Sequence, residues 1–138
     1  MYISKKDREL IRNKFGGRCA YSGTELDDDW QVDHVVPIMR NLKGPGALFE
    51  QGHHIDNMVP CQKLVNHYKA NLHLEEFRTW YLGELHLRLQ KLPKNPRTHK
   101  GAKRKMRLFM IAKLFGITPE KPFSGKFYFE TFNQPVTK

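Results

Sequence analysis

An Asp-His pair interrupts an apolar, strand-like segment, and this feature constrains the fold more than any other in the chain. Asp33 and His34 stand between Val32 and Val35. Because neighbouring residues on a strand point to opposite faces, Asp33 and His34 cannot both enter one hydrophobic core. A carboxylate is a hard ligand for a divalent cation, and a neutral imidazole can accept a proton from water near pH 7. The pair therefore indicates a site that can bind a divalent cation and accept a proton.

Two asparagines and a lysine further along the chain extend this polar set. Asn57 directly follows Asp56, and Asn66 precedes Lys69 by three residues. A helix is predicted from about residue 61 to residue 70, so Asn66 and Lys69 share one of its faces. The set supplies a base, oxygen ligands for a metal and a cation for phosphate. These are the parts needed to hydrolyse a phosphodiester.

The same residues form four short motifs that resemble the HNH endonuclease family. In chain order they are Gly-Arg-Cys-x-x-Ser-Gly at 17 to 23, Val-Asp-His-x-x-Pro at 32 to 37, Asp-Asn-x-x-Pro at 56 to 60 and Asn-x-x-Lys at 66 to 69. The match covers roughly residues 17 to 78. The resemblance implies an α+β fold built on a small ββα-metal core, in which two antiparallel strands and a helix hold one divalent ion. Flanking helices and a basic C-terminal extension complete this expected architecture.

The resemblance also implies a role for each signature residue. His34 is expected to be the general base that activates water, and Asn57 to brace the long loop and the region of His34. Asp33 and Asn66 are expected to bind the metal. The implied activity is that of a DNA endonuclease that leaves 5′-phosphate and 3′-hydroxyl ends. The implied cofactor is Mg²⁺, with Mn²⁺ or Ni²⁺ as possible substitutes.

The chain departs from the family where many members carry two Cys-x-x-Cys zinc knuckles. One knuckle position reads Cys19 and Ser22, and the other reads Cys61 and Leu64. A closed structural zinc site takes four nitrogen or sulfur ligands, so no structural zinc is expected. Cys19 and Cys61 are instead predicted to be small buried residues. They are also predicted to lie close together, because each replaces half of a shared site.

Positive charge is concentrated in the C-terminal part of the chain. The net charge is +10, but residues 1 to 84 carry 11 Lys and Arg against 12 Asp and Glu, whereas residues 85 to 138 carry 13 against two. We call residues 91 to 107 the basic segment. Its charge predicts a surface that follows a nucleic-acid backbone, because Lys and Arg that neutralise phosphates release the bound counterions and so favour binding. A solvated helix face is the alternative. The predicted nucleic-acid-binding residues are Lys69, Lys94, Arg97, Lys100, Lys103, Arg104, Lys105 and Arg107.

At 138 residues the chain is predicted to form one domain. Residues 1 to 92 would hold the nuclease core with an N-terminal helix and a following helix. Residues 93 to 138 would be a basic C-terminal extension that packs on the same domain. No apolar run approaches the roughly 18 residues of a membrane span, and no signal-peptide pattern is present. A cytoplasmic location without membrane contact is expected.

The pattern of apolar residues predicts the remaining elements. A first helix follows an N-cap at Ser4, and its apolar stripe is Ile3, Leu10, Ile11 and Phe15. Strands are predicted near 31 to 38, 58 to 59 and 126 to 130, and helices at 74 to 92 and 103 to 115. The last of these helices is predicted to turn Met106, Phe109, Met110 and Leu114 inward. The aromatics of the final strand are expected to cover the core, with base stacking as the alternative.

Several residues keep alternative interpretations. His53 and His54 precede the Asp56 motif and could touch phosphate or metal, although loop histidines are more often exposed. His67 is the second choice if the third signature residue is misplaced by one position. Arg18 could support the strand or reach a phosphate.

The function predicted from these observations is metal-dependent hydrolysis of DNA, with DNA as the partner and no small-molecule cofactor. A non-catalytic nucleic-acid-binding module on the same scaffold is the alternative. The compact, free-standing motif suits a nuclease of a phage or mobile element. The target sequence and the oligomeric state are left open by the sequence.

Overall fold

The computed structural model describes residues 3–36 and 55–132 of the chain. Within these residues the fold is of the α+β class, with helices and one two-stranded antiparallel sheet. The elements are α1 (Lys5–Arg12), β1 (Gln31–His34), β2 (Met58–Cys61), α2 (Lys63–Lys69), α3 (Leu74–Glu76), a π-helical segment (Phe77–Leu82), α4 (Gly83–Lys91), α5 (His99–Leu114) and α6 (Tyr128–Phe132). Short 3₁₀ helices span Asn13–Phe15 and Ile55–Asn57.

Contacts divide the described residues into two compact units. Unit 1 holds those up to Leu74 together with those from Phe127 onward, and unit 2 holds Glu75–Lys126. The predicted boundary between residues 92 and 93 stays a prediction. Among the helices of the described ranges, none is both long enough and apolar enough to cross a membrane.

Helix α1 begins and ends at the predicted signals. The Ser4 side chain accepts a hydrogen bond from the Asp7 N–H at 3.1 Å and so caps the first turn. The following 3₁₀ turn ends at Gly16, whose φ of +64° is a left-handed conformation that suits glycine. Ile11 is buried as predicted, but Leu10 is 53% exposed. The predicted stripe was therefore wrong at Leu10, which lies on the solvent side of the helix.

The sheet of unit 1 pairs β1 with β2 in antiparallel fashion. Asp33 faces Val59 in the register, and His34 faces Met58. Strand β1 ends at His34, so the described part of the predicted strand is shorter than expected. Pro37, Ile38 and nearly all of the predicted long loop lie outside the described residues. Helix α2 follows β2 after Gln62, close to its predicted position.

The C-terminal aromatic segment is a helix and not the predicted strand. Helix α6 starts at Tyr128, and the Glu130 side chain accepts a hydrogen bond from the Phe127 N–H at 2.8 Å. The next two N–H groups donate to the carbonyls of Tyr21 and Ala20, which satisfies the start of the helix. Phe127 is fully buried, with its ring 5.4 Å from that of Tyr21. The segment thus covers the core of unit 1, as the first of the two interpretations expected.

Unit 2 is helical in its described elements, and its core is apolar. The buried residues are Phe77, Leu82, Leu85, Leu89, Leu108, Ile111, Ala112 and Ile117. Helix α5 begins at His99, where the Thr98 Oγ1 accepts from the Gly101 N–H at 2.9 Å and provides a cap that the prediction missed.

The predicted inward face of α5 was wrong. Met106 is 56%, Phe109 37% and Met110 50% exposed. The buried stripe is formed by Leu108, Ile111 and Ala112 instead. The predicted stripe and the buried stripe both follow helical spacing, so periodicity alone cannot distinguish them. The stripe with Leu108 and Ile111 faces the core.

Candidate catalytic and metal-binding site

Strand β1 and helix α2 bring four polar side chains together in unit 1. Gln31 and Asp33 are two residues apart on the strand and share a face, as Asn66 and Lys69 do on the helix. The Asn66 Nδ2 donates to Gln31 Oε1 at 2.6 Å. The Lys69 Nζ lies 3.0 Å from Asp33 Oδ2. The predicted metal ligands Asp33 and Asn66 therefore lie along the same strand–helix interface.

The Asp33 carboxylate is buried and is held through a single oxygen. Its Oδ2 accepts a hydrogen bond from the Tyr21 hydroxyl at 2.6 Å and pairs with Lys69. Burial, followed by the charge of Asp33 and the hydrogen bond to it, raises the pKa of Tyr21 well above its usual value. The phenol therefore stays protonated and remains a donor. No described residue donates to the second oxygen, Oδ1, which leaves it as a candidate ligand.

Lys69 does not lie where a phosphate-binding lysine is expected. Its side chain is fully buried, and its Nζ also donates to the His34 carbonyl at 3.2 Å. The same Nζ lies 5.6 Å from the centroid of the Tyr21 ring. The predicted phosphate contact at Lys69 is corrected to an internal ion pair. The physical reason is that a buried carboxylate on the facing strand requires a counter-ion.

Asn57 fixes the backbone that comes after His34. Its Oδ1 accepts from the Val36 N–H at 2.9 Å, and its Nδ2 donates to the Val36 carbonyl at 2.9 Å. The Val35 N–H also donates to the Asn57 carbonyl at 3.0 Å. These three hydrogen bonds hold the end of β1 against the start of β2. His34 is half-buried and is the last residue of β1, directly after Asp33.

Gln31 determines which atom of Asn66 is available. An asparagine side chain binds a cation through its oxygen, whereas its nitrogen is a donor. Since the Asn66 Nδ2 donates to Gln31, the Asn66 Oδ1 is directed away from this bond. No described residue donates to that Oδ1. Sequence reasoning did not single out Gln31 or Tyr21, because each acts through a contact that is remote in sequence and belongs to no recognisable motif.

These residues fit a site for a hard divalent cation. Asp33 Oδ1 and Asn66 Oδ1 are both oxygens, which Mg²⁺ prefers, and two protein ligands leave room for the several waters that Mg²⁺ retains. The described residues contain no cluster of three His, Cys, Asp or Glu side chains that could hold an ion. Any ion bound here would therefore depend on the amide oxygen and on ligands from solvent or substrate.

Cys19 and Cys61 lie together, as predicted, and both are fully buried. Burial opposes ionisation of the Cys19 thiol, but hydrogen bonds from Cys61, Ser22 and the Gln62 N–H outweigh it and lower its pKa to about 6. For Cys61, burial and then its bond to Cys19 raise the pKa well above the usual value. The arrangement therefore favours ionisation of Cys19 over ionisation of Cys61.

We expect the folded protein to titrate a single thiolate with an apparent pKa of about 6, while Cys61 stays protonated. Thiolate absorbance in the ultraviolet should appear as the pH rises through this value. Cys19→Ser should abolish the signal, and Cys61→Ala should move it to higher pH because the thiol donor is removed. A titration near the usual pKa of 9.0 in the folded wild type would contradict this assignment.

The Gln62 side chain links residues 24–27 to the chain directly after β2. Gln62 is 5% exposed. Its Nε2 donates to Thr24 Oγ1 at 3.2 Å and to the Glu25 carbonyl, and its Oε1 accepts from the Asp27 N–H at 3.3 Å. One buried amide thus makes three cross-connections within unit 1.

Gln62→Leu should destabilise the fold by about 2 kcal/mol or more, because it leaves buried polar partners without hydrogen bonds. Denaturant unfolding in the presence of chelator measures this change. Gln90→Leu is the matched control, since it removes one exposed hydrogen bond to the Pro119 carbonyl. An equal loss of unfolding free energy in both variants would show that the buried Gln62 amide stabilises the fold no more than an exposed one.

The other residues with open interpretations lie in different settings. His67 is exposed on α2, with its ring edge-on to Tyr68 at 5.0 Å. Arg18 is exposed, and its guanidinium donates to the Gly23 carbonyl at 3.0 Å, which favours support of the turn. His53 and His54 lie outside the described residues.

The basic segment belongs to unit 2, and most of its cations face solvent. The exposed ones are Lys91, Lys94, Arg97, Lys100, Lys103, Arg104 and Arg107. Lys105 differs, because its Nζ donates to the carbonyls of Pro93 and Lys94, both at 2.9 Å. These two bonds hold the preceding turn against α5, and the nucleic-acid contact predicted for Lys105 stays a prediction.

No family model, no curated protein and no solved structure matches the chain. The resemblance carried by the four motifs therefore stays a prediction. The residues on β1, β2 and α2 and their contacts are the physical basis on which a function can be proposed.

Proposed function

We propose that this chain is a metal-dependent DNA endonuclease of the HNH type, built on a ββα-metal core. The observation that carries the proposal is the position of the signature residues within unit 1. Asp33 and His34 end β1, Asn57 immediately precedes β2, and Asn66 lies on α2, which packs on β1 through the Gln31 and Lys69 contacts. A pair of antiparallel strands followed by a helix is the arrangement that the motif resemblance implies.

In the proposed reaction His34 is the general base. It takes a proton from a water molecule, which attacks phosphorus in line with the departing 3′ oxygen. Asn57 supports this step by fixing the backbone of Val35 and Val36, directly after His34. Asp33 Oδ1 and Asn66 Oδ1 would hold the metal ion. A bound Mg²⁺ supplies positive charge for the phosphate and the leaving oxygen.

The proposed partner is DNA, and the basic segment would bind its backbone. No Asp or Glu occurs between Lys91 and Arg107, so the exposed cations of this segment have no acidic neighbour in sequence. Such a surface binds nucleic acid through phosphate neutralisation and without sequence preference. This supports a division of labour in which unit 1 performs the chemistry and the basic segment contributes affinity.

The direct test is a nicking assay on supercoiled plasmid, performed with Mg²⁺, with Mn²⁺ and with chelator. We expect nicked or linear product only with metal, and end-labelling should find 5′-phosphate and 3′-hydroxyl termini. Absence of cleavage with Mg²⁺, Mn²⁺ and Ni²⁺ alike would contradict the proposal. DNA binding without cleavage would then favour the alternative, a non-catalytic nucleic-acid-binding module.

A further inference from the structure

Lys69 is a buried cation that shares its carboxylate partner with the candidate metal site. We propose that Lys69 is a resident counter-ion that keeps the site at low metal affinity until a phosphodiester of the substrate arrives. The inference rests on the proposed function, because it assigns Asp33 and Asn66 as metal ligands. It adds a mode of regulation to that site: metal uptake coupled to substrate.

The charge of Lys69 is fixed in place. Its side chain is 0% exposed, and its Nζ contacts Asp33 Oδ2 at 3.0 Å and the His34 carbonyl at 3.2 Å. The centroid of the Tyr21 ring lies 5.6 Å from the same ammonium group. In this position the ammonium group lies beside the Asp33 carboxylate and is shielded from solvent. Its positive charge is thus a permanent part of the environment of Asp33.

As a consequence, the two proposed ligands and Lys69 together carry no net charge. Asp33 provides the only carboxylate among the two proposed ligands, and Asn66 provides a neutral amide. The Lys69 ammonium offsets the charge of Asp33 and repels a dication that approaches Oδ1. At short range in a partly buried site this repulsion is substantial. Free protein should therefore bind Mg²⁺ or Mn²⁺ weakly, even though the oxygen ligands suit both ions.

A phosphodiester changes this balance because it adds a negative charge and further oxygen ligands. Metal binding should then be tighter when DNA is bound, and by linkage DNA binding should be tighter when metal is present. The ion would enter together with the scissile phosphate, so that free protein in solution carries little metal. The electrostatic arrangement of Asp33 and Lys69 thus predicts reciprocal coupling.

The test measures Mn²⁺ affinity directly, by the signal of the free ion in electron paramagnetic resonance. Without DNA, Lys69→Met should bind Mn²⁺ at least about tenfold more tightly than wild type, because a unit positive charge near the ligand oxygen is removed. Tyr21→Phe is the matched control: it removes a neutral donor from the same Asp33 oxygen and should not tighten binding. A folded Lys69→Met with unchanged or weaker Mn²⁺ affinity would overturn the inference.

A second arm does not depend on the stability of the Lys69 variant. In the His34→Ala background, where DNA should stay intact, duplex DNA should tighten Mn²⁺ binding by at least about tenfold after ions bound by DNA alone are subtracted. Equal affinity with and without DNA would also overturn the inference. If Lys69→Met is unfolded without metal, refolding by Mn²⁺ supports the inference; failure to refold leaves the decision to this second arm.

The outcomes separate the two proposals. The wild type could nick plasmid while Lys69→Met binds Mn²⁺ no more tightly and DNA does not change Mn²⁺ affinity. This result would support the nuclease and reject the counter-ion role of Lys69. Tighter Mn²⁺ binding by Lys69→Met, with no cleavage under any condition, would leave the metal site and reject the nuclease.

Discussion

His34→Ala is expected to lower the rate of DNA cleavage at least about 100-fold, the lower end of the effect of a positioned general base. The imidazole acts on the attacking water in the transition state, so DNA affinity and folding should change little. Single-turnover cleavage of a labelled duplex measures the rate, and a binding titration in chelator measures affinity. His34 is half-buried at the end of β1, so its truncation removes less packing than a core substitution would.

His67→Ala is the matched control for this prediction. His67 belongs to the same unit but lies exposed on α2, one position beyond Asn66. It should keep near-normal cleavage. Near-normal turnover by His34→Ala would reject His34 as the base. A large decrease in the cleavage rate of His67→Ala alone would assign the third signature position to His67 and not to Asn66.

The parts of unit 1 that could be predicted were those with local causes. A serine cap and a glycine stop bound helix α1, and both signals lie within a few residues of the positions they control. The proximity of Cys19 and Cys61 could also be predicted, because the motif resemblance pairs the two knuckle positions. In each case the relevant information was in a short stretch of sequence or in the order of the motifs.

The incorrectly predicted residues depend on contacts between distant parts of the chain. A lysine such as Lys69 is expected at the surface because lysine is rarely buried, and only the Asp33 carboxylate on the facing strand explains its position. The composition of the aromatic segment near Tyr128 favours a strand. Its first N–H groups instead find the carbonyls of Ala20 and Tyr21, and the segment turns helical.

Helix α5 illustrates a different limit of sequence-based prediction. It carries two stripes at helical spacing, one through Met106 and Met110 and one through Leu108 and Ile111. Periodicity shows that each stripe is a continuous surface, but it cannot tell which of them the rest of the unit covers. The choice is made by packing against the rest of the unit, which buries Leu108 and Ile111 and leaves Met106 and Met110 exposed. The same choice decides which of the neighbouring cations face solvent.

Four exposed cations lie along one face of helix α5. Lys100, Lys103, Arg104 and Arg107 follow the spacing i, i+3, i+4 and i+7, and all four are exposed. Side chains at this spacing lie along one face of a helix and can follow a phosphate backbone together. Lys105 is excluded from the set, since its ammonium is committed to the carbonyls of Pro93 and Lys94.

Replacing these four residues by glutamine should weaken binding to all DNA sequences alike. The slope of log affinity against log salt should fall by up to about 0.9 for each phosphate of duplex DNA that the variant no longer neutralises. The control removes the same charge from exposed lysines outside this face, namely Lys5, Lys6, Lys121 and Lys126. It should change the slope less, because net charge alone provides only a diffuse attraction.

Cleavage kinetics separate affinity from chemistry in the same variant. The α5 substitutions leave His34, Asp33 and Asn66 untouched, so the single-turnover rate at saturating DNA should return to the wild-type value while the apparent affinity does not. A salt slope equal to that of wild type would mean that the basic segment is only a solvated face. A rate that stays low at saturation would instead assign these cations to the transition state, because a deficit in ground-state binding alone is overcome by excess DNA.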